Sequence, residues 1–187
     1  MPATSLLTRV AKGAYTSSVK RWAPDQLTRV CAAVVADCAC EGLRRAARAV
    51  SKVYAGALAG SGLTPTQLAI LVATRLHGSL PLSRLAEGIG LDRTSLYRAL
   101  RPLERNGYLR TLPGRTDRER IATVTAKGER LLEAALPIWE STQRRFIEAM
   151  GPRAWLTASS AMKRVRSVAH TLSSTERARP RRRLPPK

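Results

Sequence analysis

Arg93, Thr94, Ser95, Tyr97 and Arg98 crowd one short stretch of the chain, and their chemistry suits the recognition of base edges. In the major groove guanine presents two acceptors and thymine a methyl group, so a helix that reads them needs forked donors and short hydroxyls on one face. Leu96, Leu100 and Leu103 follow the i, i+4, i+7 spacing of an inward face. That spacing turns Arg93, Thr94, Tyr97, Arg98 and Arg101 outward, with Ser95 near the edge. Asp92 stands where an N-cap would accept backbone N–H bonds. Pro102 lacks an N–H and clashes with the carbonyl four residues back, so a bend or a tightened last turn is expected beyond the N-terminal half of this helix.

Around that helix, residues 83–106 read as a helix-turn-helix, with the turn at Gly90 and Leu91 and with Ser83 added to the candidate DNA contacts. Residues 108–125, YLRTLPGRTDRERIATVT, read as two strands flanking an arginine-rich loop. Arg115, Arg118 and Arg120 on this hairpin can reach the minor groove or phosphates, where contacts position a protein but carry little sequence information. Any one of these arginines could equally be a solvated surface residue. Helix, turn, helix and basic hairpin together favour a DNA-reading head with its wing.

The whole chain agrees with that direction. Its 187 residues hold 33 Lys and Arg against 13 Asp and Glu, a formal charge of +20. Such an excess calls for a polyanionic partner, either nucleic acid or a membrane surface. No apolar run approaches the roughly 20 residues of a membrane span, because Asp37 and Glu41 close the run from Val30 to Ala36. A soluble, cytoplasmic protein is expected. An apolar content of 44% with only 4% aromatics points to a core of helix against helix.

Catalytic chemistry lacks its parts. His77 and His170 are the only histidines and have no clustered carboxylate or cysteine partner, so metal and triad sites are not expected. No Gly-rich phosphate loop is present. The reading is therefore not an enzyme, with no cofactor and no metal. Cys31, Cys38 and Cys40 are odd in number and crowded together, which suits a reducing compartment better than a disulfide framework. If helical, Cys38 and Cys40 project about 200° apart, so they neither pair easily nor chelate one metal. Burial as small apolar residues is the commoner fate of such cysteines.

A mainly α fold with a small β-hairpin is expected. Residues 1–36 read as a basic, flexible extension; from Met1 to Ala23 there is no acid, a pattern shared with transit peptides, although a solvated leader or a mis-assigned start is the plainer reading. Leu43, Ala46, Ala47, Val50, Val53, Tyr54, Ala57 and Leu58 recur at helical spacing up to Gly60 and Gly62. Thr64, Pro65 and Gln67 form a strong helix start, followed by an apolar side of Leu68, Leu71, Val72 and Leu76 that stops at Gly78. A short helix follows from about Leu82 to Gly88. After the hairpin, Thr125 caps a long helix to about Met150, with a kink expected at Pro137. Gly151 and Pro152 begin a last helix bearing Trp155, Leu156, Met162, Val165 and Ala169, and residues 173–187 read as a disordered basic tail.

With those residues in view, the chain resembles the MarR family of bacterial winged-helix regulators over roughly Asp37 to Ala169. The resemblance rests on GLTPTQLAIL, on LSRLAEGIGLDRTSLYRALRPLERNGYL and on VTAKGERLLEAALPIWE. It implies a domain over 37–172, with a winged helix-turn-helix at about 63–125 and dimerisation helices at about 37–60 and 126–172. It also implies that the helix beginning at Arg93 enters the major groove of double-stranded DNA while the wing flanks it. The family often carries Asp-x-Arg in the wing; here Thr116 takes the Asp position, Arg118 the Arg position, and Asp117 lies one place later. The apolar faces at Trp139, Phe146, Ile147 and Trp155 fit a homodimer on a near-palindromic operator. Relatives of this kind can be released by oxidants, which makes Cys38 and Cys40 candidate sensors. Others are released by small aromatic ligands, for which Tyr54 and Trp139 are candidate cleft residues. The expected function is a homodimeric, sequence-specific transcriptional repressor released by a ligand or oxidant. The alternatives are a non-specific nucleic-acid binder using its basic ends, including Arg177, Arg179, Arg181, Arg182 and Arg183, or a winged helix used for protein contacts.

Overall fold

The computed structural model of the protein describes residues 22–116 and 119–178. The chain divides into two compact units, Met1–Arg48 and Ala49–Lys187.

Within the first unit lies α1, Pro24–Asp37, a helix where a flexible extension is expected. Pro24 presets the first turn, and Asp25 sits at the positive end of the helix dipole and pairs with Arg29 at 2.6 Å. No residue of α1 is buried. The helix stops at Cys38, which is extended (φ −68°, ψ 110°) and donates its N–H to the Val34 carbonyl. Cys38 is therefore not helical. A second helix, α2, runs from Ala39 to Leu58, and in its first turns Glu41 pairs with Arg48 at 2.7 Å and Arg45 at 3.6 Å.

The second unit is built on leucine. Beyond α2 a 3-10 turn, Ala59–Ser61, ends at Gly62 (φ 71°), a left-handed position that favours glycine. Helix α3, Pro65–His77, starts with a reciprocal cap: Thr64 Oγ1 accepts the Gln67 N–H at 3.2 Å, and Gln67 Oε1 accepts the Thr64 N–H at 2.9 Å. Its inward stripe is Gln67, Leu68, Ile70, Leu71 and Thr74. Val72 and Leu76, expected inside, are 38% and 76% exposed, because the 67/70/71/74 spacing already fills the face toward the core.

Strand β1, Ser79–Pro81, leads into α4, Leu82–Ile89, and Gly90 (φ 70°) turns the chain toward α5, Arg93–Arg105. Leu96, Leu100 and Leu103 are each 1% exposed and anchor α5, each such burial being worth about 2 kcal/mol against the unfolded chain. The helix runs through Pro102 and closes in a tightened turn, with Gly107 N–H on the Glu104 carbonyl at 2.9 Å and Tyr108 N–H on Leu103 at 2.9 Å.

The hairpin strands are β2, Leu109–Pro113, and β3, Arg120–Val124. Strand β1 adds to β3, giving an antiparallel order β1-β3-β2 in which Leu80 and Thr111 flank the fully buried Ala122. Three residues between two helices carry too little alternation to announce a strand. Helix α6, Ala126–Met150, is unbroken at Pro137. Pro137 and Glu133 are both exposed, so water can serve the carbonyl that the proline leaves without a donor. Helix α7 extends from Pro152 to Ala178, past Ser173 where a disordered tail is expected. Its last turns are reinforced by the Ser173 and Ser174 hydroxyls on the His170 carbonyl and the Thr175 hydroxyl on Thr171. The remaining tail, including Arg179, Arg181, Arg182 and Arg183, lies outside the described residues. Among the described residues no single helix is long and apolar enough to cross a membrane.

Candidate nucleic-acid interface

Asp92 organises the start of α5. Its carboxylate accepts the Ser95 N–H at 2.9 Å and the Ser95 hydroxyl at 2.6 Å. The Ser95 hydroxyl bond, then the backbone bond, hold the Asp92 carboxyl below its ordinary range. Ser95 thus spends its donor on the cap and keeps only lone pairs for a ligand. The face left outward carries Arg93, Thr94, Arg98 and Arg101, all exposed, with Tyr97 half-buried. The Arg93 guanidinium lies 5.6 Å from the Tyr97 ring centroid, which steers it along the helix surface.

Ser83, exposed on α4, meets this face in a cleft of about 220 Å³. Leu82, Ala86 and Leu96 make its apolar floor, and Arg93, Tyr97, Glu119 and Arg120 line its rim. On the wing, Arg120 donates across the hairpin to the Thr111 carbonyl at 3.2 Å. Arg115 is exposed and its backbone N–H donates to Glu119 Oε2 at 2.8 Å. Arg118 and Asp117 lie outside the described residues, and with them the Asp-x-Arg question.

Asp92 is the cap expected from the sequence, but Glu87, Glu104 and Glu119 are acids of the head that sequence reasoning missed. Asp92 is spent on Ser95, Glu104 bonds the Thr111 hydroxyl, Glu87 pairs with Arg84 at 3.2 Å, and Glu119 takes the Arg115 N–H. Among the described residues, none of the ion pairs involves an arginine of α5 or of the wing. The carboxylates hold the scaffold, and the arginines of α5 and the wing are left without an ion-pair partner among the described residues. Two acids, Asp117 and Glu119, stand among the arginines of the hairpin, a signal that could have drawn notice to Glu119.

The other candidates fall elsewhere. Tyr54 donates its hydroxyl to Gln143 on α6 and stacks at a tilt on Phe146, 6.4 Å away, which in turn meets Trp155 edge-on at 6.0 Å. Partial burial pushes the Tyr54 hydroxyl pKa up. Trp139 points outward, 38% exposed, over a shallow surface with Gln143 and Ile147. Tyr54 is thus a packing residue between α2 and α6, and Trp139 a surface one. Cys38 is half-buried, Cys31 and Cys40 are exposed, and all three are unpaired thiols. Among the described residues no group of His, Cys, Asp and Glu is placed to hold a metal ion.

Residues 63–120 match the sequence model of the MarR family. No curated protein matches the chain by sequence. Among solved structures, the fold is similar to the M. tuberculosis transcriptional regulator MosR in complex with DNA, at 34% identity and TM-score 0.61, over 71% of this chain and 98% of that one. A second M. tuberculosis MosR structure matches at 36% identity and TM-score 0.60, over 70% and 97%. The Streptomyces coelicolor regulator PcaV, in complex with its natural ligand, shares the fold at 20% identity and TM-score 0.65, over 72% and 96%.

Proposed function

The chain belongs to the MarR family of transcriptional regulators, and from that premise we propose that it is a homodimeric, sequence-specific repressor that reads its operator with α5 and the wing. The observation that carries this reading is the cationic face of α5 and the wing. Arg93 and Arg120 line the cleft and Arg98, Arg101 and Arg115 are exposed on α5 and the wing, while among the described residues Asp92, Glu104, Glu119 and Glu87 are each engaged in a bond.

In mechanism, the outward half of α5 enters the major groove. Arg98 and Arg93 offer forked donors to guanine, while Thr94 and Tyr97 take smaller contacts. Ser83, Arg101 and the wing arginines, Arg118 included, grip phosphates or the minor groove and set the register. A two-fold dimer would present two such helices to half-sites about one helical turn, roughly 34 Å, apart. The domain boundaries follow: a winged head over about 63–125, flanked by dimerisation helices. Release by a small aromatic ligand, or by oxidation at Cys38 or Cys40, completes the reading, with the cytoplasm as its compartment.

The test uses a duplex selected by the purified protein from a random pool, beside a scrambled duplex. Arg98→Ala should weaken the selected duplex by about tenfold or more and the scrambled one little, since one bidentate arginine–guanine contact is worth roughly 1–3 kcal/mol. Arg120→Ala should weaken both and lower the slope of log K against log salt by about one. Equal losses of both duplexes in Arg98→Ala would refute the reading role.

A further inference from the structure

Glu119 is one of two acids, with Asp117, among the arginines of the hairpin, and three bonds run through it. Its carbonyl accepts the Gly114 N–H at 2.9 Å, its own N–H donates to the Thr116 carbonyl at 3.0 Å, and its carboxylate accepts the Arg115 N–H at 2.8 Å. The side chain lies flat against Gly114. A Cβ added there would stand 2.5 Å from both Glu119 Cγ and Oε2. The φ of Gly114 is not positive, so the glycine answers to the space the carboxylate takes rather than to a left-handed backbone. Below the tip, Thr111 accepts Arg120 and bonds Glu104 of α5, so the hairpin base is tied to the helix while Glu119 ties the tip.

We propose that Glu119 is a positioning residue for DNA binding: its carboxylate holds the backbone at Gly114 and Arg115 in the conformation that presents Arg115 to the duplex. This rests on the regulator reading above. As a bare charge, Glu119 opposes the phosphates, and its removal would tighten binding to any DNA. As a brace it does the reverse, because a tip without it must order itself on binding at an entropic cost. The two effects separate in a pair of variants. Glu119→Gln removes the charge and keeps an oxygen that accepts the Arg115 N–H; Glu119→Ala removes both.

Affinities are measured by fluorescence anisotropy for the selected and scrambled duplexes, with thermal unfolding to verify that each variant is folded. Glu119→Gln should bind both duplexes at least as tightly as the parent chain. Glu119→Ala should bind the selected duplex about tenfold more weakly despite its identical gain in net charge, the usual scale of a lost charge-assisted bond. Gly114→Ala, which displaces the carboxylate, should behave like Glu119→Ala. If Glu119→Ala binds as tightly as Glu119→Gln, Glu119 is only a repelling charge and the proposal fails. Hydrogen exchange at the Arg115 amide gives a readout independent of DNA: it should accelerate in Glu119→Ala and not in Glu119→Gln. Equal exchange in all three proteins would also overturn the brace. A parent chain that enriches no duplex from the pool sinks the regulator reading instead, and the exchange measurement still decides whether the brace exists.

Discussion

Gly128 shows how little room single residues have at the base of the wing. It is buried in the first turn of α6, and a Cβ there would meet the Tyr108 carbonyl oxygen at 2.0 Å and Val124 Cγ1 at 2.8 Å. Both neighbours are fixed, since Tyr108 O accepts the Thr125 N–H and Val124 pairs with Leu109 in the sheet. Gly128→Ala should therefore destabilise the fold by at least about 2 kcal/mol, as overpacking against backbone does; a midpoint of urea unfolding equal to the parent's would show that the wing base can shift. Thr74 is the converse case. Its hydroxyl is fully buried in α3 with no hydrogen-bond partner among the described residues, a polar group that costs stability where it stands.

At the scale of elements, caps decide where the reading helix begins. The Asp92 carboxyl is held below its ordinary value of 3.8 by the Ser95 hydroxyl and N–H. Because the folded-state value is the lower one, the stabilisation from this cap is complete above the ordinary value and is lost as pH falls through the lowered one. Protection of the Ser95 amide from exchange should thus decline below about pH 4. Asp92→Asn keeps an acceptor that cannot titrate, so its Ser95 protection should not follow pH; an unchanged acid response in that variant would assign the titration to another group. Thr125 joins two elements in a similar way, since its hydroxyl accepts the Gly128 N–H at 3.1 Å and donates to the Gly107 carbonyl at 2.7 Å. These starts were legible because Asp, Thr-Pro-x-Gln and Thr-x-x-Gly act within one turn. Strand β1 was not, because its pairing with β3 joins residues far apart in the chain.

At the scale of the molecule, Trp155 of α7 packs on Phe146, but Leu156, Val168 and Leu172 of the same helix find little cover among the described residues and are 66%, 58% and 64% exposed. A surface of this kind on long helices is what a two-fold partner buries. Sedimentation should show a dimer at micromolar concentration, and Val168→Glu with Leu172→Glu should convert it to a monomer that loses affinity for the selected duplex. A parent chain that sediments as a monomer while binding that duplex would remove the dimer from the mechanism.

The chain's order of residues settles what is local. Leucines at helical spacing, a hydroxyl or carboxylate before α3, α5 and α6, and arginines crowded between them specify the helix-turn-helix, the hairpin and the charge they carry, since each depends on neighbours within a few positions. The partnership of each side chain was decided only in three dimensions. The Gln143 partner of the Tyr54 hydroxyl came only with α6, and the turn of the Ser95 hydroxyl to Asp92 showed only in the folded cap. Glu104 and Glu119 look like liabilities beside DNA until the hairpin folds Thr111 and Arg115 onto them. A buried or bonded polar group is defined by what chain closure places against it, and spacing along the chain does not carry that information.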